Sequence, residues 1–259
     1  MGYLNTGDIK DIKPISRENI LNYHKRTHCG NNMVICVCGD ITLSDTENVV
    51  KKYFQNLPDG RRINEIKIVP HITSPKVEYI SGIKQDLLTL AYNTFPIKNK
   101  ESYAIDLVYK VLMATGTSRI RYKIREKMAL AYLVRGTNYR GINYGISSFQ
   151  VGTDSKNVDL CINSIKDELY KITKEIIFDS ELEKVYSFIK SNYIFNLENS
   201  LNLASFYSDL WCSNENIENV GNILKVYNDI VKDKEYIRQI SQKVFSVEPA
   251  ILIVKPENH

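Results

Sequence analysis

The sequence predicts an α+β fold of duplicated plan, with an antiparallel-rich sheet covered by helices. Three observations carry that expectation. Apolar runs of strand length are interleaved with longer capped segments of helical period. Leu130–Tyr139 and Ile142–Thr153 flank Arg140-Gly141, the pattern of a β-hairpin and so of antiparallel pairing. A cap, a helix and an apolar strand also recur near both ends at equal offsets: Ser16, Ile20 and Val34 in one unit, Asp233, Ile237 and Ile251 in the other.

Taken in order, residues 1–10 are polar and read as irregular. Ser16 caps a helix to about Thr27, with Ile20, Leu21 and Tyr23 on its apolar side. Asn31-Asn32 turns the chain into Met33–Cys38, a continuous apolar run that reads as a buried strand. Ser44 with Glu47 is a capping box, and it starts a helix whose stripe is Val50, Tyr53, Phe54 and Leu57. Pro58-Asp59-Gly60 ends that helix, and the proline-punctuated stretch to Pro75 reads as a linker. Beyond it, Lys76–Gly82 and Asp86–Phe95 read as strands, and Ser102–Ala114 as a helix with Ile105, Val108 and Leu112 inward. After the hairpin come helical patterns at about 155–174, 180–212 and 216–227. Asp233 caps a helix to Phe245, and Ala250–Val254 is the last strand.

Between the third strand-length run and the hairpin lies Gly116–Tyr132, GTSRIRYKIREKMALAY, which reads as one helix with Thr117 or Ser118 as its cap. Ile120 and Ile124 give it a buried face. Arg121, Arg125, Met128 and Tyr132 recur at i, i+4, i+7 and i+11 and form a second face. Seven residues is almost two turns, so Arg125 and Tyr132 are expected to point the same way. A guanidinium and a phenol side by side can both donate to a carbonyl oxygen or a developing oxyanion. On spacing alone the plainer reading is a surface Arg beside a half-buried Tyr.

Composition narrows the function classes. In 259 residues, 34 Lys and Arg against 30 Asp and Glu leave a net charge of +4, spread along the chain rather than gathered in the basic stripe of a nucleic-acid binder. The cysteines number five and contain no CxxC pair; Cys36 and Cys38 alternate in an apolar run, so they read as buried strand residues and point to a reducing, cytoplasmic setting. No apolar run reaches membrane-spanning length.

The segment TSRIRYKIREKMALAYLV resembles the SRL…REK-x-x-LAY-x-V signature in the C-terminal half of pitrilysin-type zinc metallopeptidases, the inverted-zincin family that includes insulin-degrading enzyme and the mitochondrial processing peptidases. In that family an Arg and a Tyr seven residues apart reach into the active site of the N-terminal half, contact substrate and help hold the transition state. They match Arg125 and Tyr132. Met128 and Ala129 stand where many members have a basic residue and Gly. Asn32–Asp40 is similar to the family's N-M-V-x-x-x-x-G-D, near the end of an N-terminal half. The resemblance therefore implies residues 1–57 as the tail of an N-terminal half, 58–75 as a linker and 76–259 as a complete C-terminal half.

The family's zinc site is H-x-x-E-H on a helix, where two His bind the metal and the Glu is the general base. The chain has His24, His28, His71 and His259, and Thr27 stands where that Glu would be. No metal site is expected in this chain, and alone it is expected not to hydrolyse peptides. What the resemblance implies is the substrate-contacting part of a zinc endopeptidase, completed by a zinc-bearing half upstream or in trans. Two other readings stay open: a non-catalytic scaffold subunit, and a module that adds a peptide strand to a sheet edge.

Overall fold

A computed structural model describes residues 6–60, 75–214 and 216–257. They fall into two compact units, one holding the described residues of Met1–Val69 and Asn196–Glu215, the other those of Pro70–Phe195 and Asn216–His259. Most of the expected linker, residues 61–74, lies outside the described residues.

In the first unit a single turn, α1 (Ile9–Ile12), precedes α2 (Arg17–Thr27). Ser16 caps α2 as expected, and Asn19 completes the box: its amide N–H donates to the Ser16 hydroxyl and its side chain accepts from the Ser16 N–H. The second helix, α3 (Leu43–Phe54), corrects the expected cap. Thr42, not Ser44, takes the position, because its hydroxyl both accepts from the Asp45 N–H at 3.1 Å and donates to the Asp45 carboxylate at 2.6 Å. Met33–Cys38 is a larger correction: it forms no strand, Val34 and Val37 are exposed, and Cys36 and Cys38 are half-exposed rather than buried. An apolar run becomes a strand only beside a partner that completes its ladder, and among the described residues none pairs with it.

The second unit carries the sheet. Its strands are β1 (Lys76–Ile80), β2 (Asp86–Thr94), β3 (Leu133–Arg140), β4 (Gly145–Thr153) and β5 (Ala250–Pro256), in the order β1-β5-β2-β4-β3. Only β1 and β5 are parallel; the other pairs are antiparallel, with Leu90 opposite Phe149 and Val134 opposite Val151. The hairpin turn is Gly141–Tyr144, wider than the expected two residues, because the Gly141 N–H bonds the Tyr144 carbonyl and the Gly141 carbonyl receives the Ile97 N–H.

Alternation in the strands selects one face for the core. Leu88, Leu90 and Tyr92 of β2, Phe149 and Val151 of β4 and Val134 of β3 are buried, while Leu87, Thr89 and Gln150 between them are half-exposed. Against the buried face lie α4 (Lys100–Tyr109, continued by a wider turn, Lys110–Ala114), α6 (Val158–Lys174) and α10 (Lys234–Phe245). Ile105, Val108 and Leu112 point inward as expected, joined by Ile165, Leu169, Ile237 and Ile240. Each such side chain contributes about 1.5–3 kcal/mol on burial, so apolar packing is the main support of this unit.

Two expected helical segments divide differently. The run 180–212 splits into α7 (Asp179–Asn196) and α8 (Ser200–Asn214), since the Asn199 side chain accepts the Leu201 and Asn202 N–H groups and caps a new helix. The segment near 216–227 is α9 (Val220–Lys232), capped by Asn219, and Asp233 ends it and caps α10.

Among the buried carboxylates, that of Asp106 ties several elements together. Asp106 of α4 is 6% exposed and accepts from Lys110 Nζ at 2.6 Å, Tyr227 OH at 2.6 Å and Asn138 Nδ2 at 3.1 Å. It thereby joins α4, α9 and β3. Burial alone would raise its pKa, but the charges of Lys110 and Arg140 and the bonds from Lys110 and Tyr227 outweigh burial and hold it below the usual carboxylate value. A depressed folded value adds stability above the ordinary carboxylate pKa, and this is lost as pH falls through the folded value. Asp106→Ala should therefore cost about 3–5 kcal/mol near neutral pH. In denaturant titrations the gap from the parent chain should narrow below about pH 4; an equal gap at every pH would show that the charge contributes nothing.

Candidate substrate-contact site

The stretch 116–132 does not form one helix. Its first turn, α5 (Arg119–Arg121), runs into a π-type turn, Tyr122–Lys127, and Met128 ends it. Ser118 stands at the cap position, but its hydroxyl accepts the Thr115 N–H at 2.8 Å and donates to the Lys110 carbonyl at 3.0 Å, stapling the helix start to the end of α4. Ile120 and Ile124 are fully buried, as expected.

Tyr132 thus lies beyond the helix, and the two-turn argument for its pairing with Arg125 fails. The pairing itself survives. The Arg125 guanidinium carbon lies 4.5 Å from the Tyr132 ring centroid, a cation–π contact. The turn produces it. Ala129 takes φ = 50°, the left-handed conformation that ends many helices, and is the one non-glycine with positive φ among the described residues. The Leu130 N–H then returns to the Ile124 carbonyl at 3.0 Å, and the chain doubles back so that Tyr132 comes over Arg125 before β3 begins at Leu133.

Three contacts that spacing did not reveal hold this segment from behind. Arg119 grips Glu181 of α7 through two bonds, Nε to Oε1 at 2.7 Å and Nη2 to Oε2 at 2.5 Å. Lys123 reaches Glu168 of α6 at 3.2 Å and Asp167 at 3.5 Å. Met128, expected beside Arg125 and Tyr132, is half-buried, and its sulfur accepts from the Ser164 hydroxyl at 3.4 Å. Burial alone would raise the Glu168 pKa, but bonds from Lys171 and Lys123 outweigh it and lower it. Their cationic and anionic members could be matched only with the fold in hand.

The open side is different. Tyr132 is 83% exposed, and Arg125 is partly exposed with Glu126, at 3.3 Å from its Nε, as its ionic neighbour among the described residues. The phenol O–H and guanidinium N–H groups are therefore available to an acceptor arriving from solvent. Arg121 is half-buried.

Zinc does not fit the residues in hand. His24 and His28 stack with ring centroids 4.3 Å apart and planes 10° from parallel, and the Thr27 hydroxyl engages His28 Nδ1 at 2.9 Å. Among the described residues no group of three His, Cys, Asp or Glu could hold a metal ion; His71 and His259 lie outside them.

Residues 14–187 match the family described as "Peptidase M16 inactive domain". The zinc protease PqqE of Helicobacter pylori is 22% identical over 259 residues, covering 96% of this chain and 57% of its own length. A crystal structure of a protease from Helicobacter pylori aligns with a TM-score of 0.83 at 21% identity, covering 96% of this chain and 61% of that one. The peptidase M16 inactive domain from Pseudomonas fluorescens aligns at 0.84 with 17% identity, covering 98% and 61%. The chain thus spans about three fifths of the length of these relatives, and the structural likeness is one of fold.

The left-handed Ala129 has a measurable consequence. A Cβ at φ = 50° costs about 1–2 kcal/mol, and Gly carries no such penalty. Ala129→Gly should raise stability by about 0.5–1 kcal/mol in urea titrations, the unfolded-state entropy of Gly offsetting part of the gain. A loss of stability would mean that this residue does not hold the left-handed turn in solution.

Proposed function

Because the chain belongs to the peptidase M16 family, matching its inactive domain, we propose that it supplies the zinc-free, substrate-contacting half of a zinc metalloendopeptidase acting on peptides. Residues 76–259 would be the C-terminal half and 1–57 the tail of an N-terminal half. The zinc belongs to a second half, joined upstream or supplied as a separate subunit. The five free cysteines, two of them half-exposed, favour a reducing cytoplasmic setting.

The observation that carries this reading is the Arg125–Tyr132 pair, stacked at 4.5 Å and open to solvent. An exposed cation–π contact is worth about 0.5–1 kcal/mol, so the pair contributes little to stability. As a donor pair it has a use. Tyr132 O–H and an Arg125 N–H would bond the carbonyl oxygen of a bound peptide, and these bonds would strengthen as that oxygen gains charge. β3, which begins one residue after Tyr132, is an edge strand of the described sheet. A peptide extended along it would carry its carbonyls past the pair.

Tyr132→Phe keeps the ring and deletes one donor. In an enzyme reconstituted with the zinc-bearing half, it should lower kcat roughly a hundredfold or more, about 3 kcal/mol of transition-state stabilisation. The Tm should stay unchanged, since Tyr132 is 83% exposed. Unchanged kcat in both Tyr132→Phe and Arg125→Ala would remove the catalytic role and leave a scaffold subunit.

A further inference from the structure

We propose that Thr153, the last residue of β4, is the positioning residue that aims Tyr132 at Arg125. It lies outside the 116–132 stretch. Thr153 is 1% exposed, and its hydroxyl donates to the Leu130 carbonyl at 2.7 Å. Leu130 is the pivot of the return: its N–H is committed to Ile124, its C=O to Thr153. Fixing that carbonyl fixes the peptide plane between Leu130 and Ala131, and so the direction in which the next two residues leave. Tyr132 is the second of them.

The residue is itself held. β4 places Thr153 opposite Asp86 in an antiparallel register, and α6 packs against β4. The position of Thr153 is therefore set by the sheet and by α6, and through one hydrogen bond it is transmitted to the turn. Without the hydroxyl, the part-buried Leu130 carbonyl has lost its donor and gains by rotating toward water. That rotation swings Ala131 and Tyr132, while Arg125, upstream in the π-type turn, stays anchored through Ile124.

The geometric claim stands on these contacts; its effect on turnover rests on the reading of Arg125 and Tyr132 as substrate donors, and one experiment separates the two. In the full chain, the Arg125 side-chain NMR signals should be shifted upfield by the Tyr132 ring current, an assignment secured by their loss in Arg125→Lys and their return to ordinary positions in Tyr132→Leu. Thr153→Val, which keeps the shape and deletes the hydroxyl, should move those signals toward ordinary positions while the rest of the amide spectrum is retained. Thr153→Ser should restore them. In the reconstituted peptidase, Thr153→Val should lower kcat roughly ten- to hundredfold, as displacement of a reacting group by about an ångström does, and Thr153→Ser should recover it. Unmoved Arg125 signals in folded Thr153→Val would overturn the proposal. If that variant does not fold, Thr153→Ala serves with no methyl facing the carbonyl, and failure of both to fold would make Thr153 a folding residue and overturn it as well. Moved signals with unchanged kcat would support the positioning role and remove the donor role of the pair.

Discussion

The link from helix to edge strand is the constraint on which the site depends. Ile124 is fully buried, so the helix cannot slide, and Leu133 is registered opposite Gly152, so the strand cannot slip without turning its buried face outward. Five residues, Met128–Tyr132, must join two fixed points and reverse the chain. A left-handed residue achieves this in the fewest steps, which is why Ala129 adopts a conformation that its Cβ disfavours. The Arg125–Tyr132 contact is a product of that reversal. It is not what drives it.

Magnitudes support that order of cause. The clamps behind the segment are part-buried: side-chain exposure is 16% for Arg119 and 9% for Glu168. Charged hydrogen bonds of this kind are worth more than an exposed cation–π contact, and breaking one leaves a charge with little water to receive it. Arg119–Glu181 and Lys123–Glu168 thus fix the helix to α7 and α6, and the turn fixes Tyr132 to the sheet. The exposed pair inherits its geometry from both and contributes little to holding it. Side chains so held are free to exchange their contact with each other for one with an arriving acceptor.

Much of the second unit was legible because burial imposes period. β1, β2, α4, α6, α10 and β5 lie where apolar spacing and caps put them, and Asp233 caps α10 as its position implied. The Arg125–Tyr132 contact was legible for an incomplete reason. A helix continued to Tyr132 would bring the two side chains onto one face, yet the helix stops at Lys127 and the pair meets by a backbone reversal. What hid the reversal was Ala129: a Gly there would have signalled a helix stop, whereas Ala is the best helix former. Thr153 was hidden because a hydroxyl at a strand end has no periodic signature, and its partner is a main-chain carbonyl. The expected cap at Ser44 failed because Thr42, two residues earlier, could make two bonds with Asp45.

The clearest failure lies in the first unit, and it bears on the reading of function. Met33–Cys38 has the composition of a core strand, yet Met33, Val34, Ile35 and Val37 are exposed. On α2 and α3 the residues expected inward behave alike: Ile20 is 60% exposed and Tyr53 67%. Isolated apolar residues on a surface need no explanation, but a strand-like run and two amphipathic helices whose apolar sides are largely uncovered do, even with Val50 and Leu57 half-buried. Propensity and pattern made those elements locally, and Ser16 and Thr42 cap them soundly. Among the described residues no strand pairs with the run, and the helices' apolar sides are only partly covered. That is the condition expected of the tail of a half whose sheet is supplied by other residues. It favours the proposed zinc-bearing partner over a self-sufficient scaffold, because a scaffold complete in itself would have no reason to retain a core strand's composition on an unpaired, exposed segment.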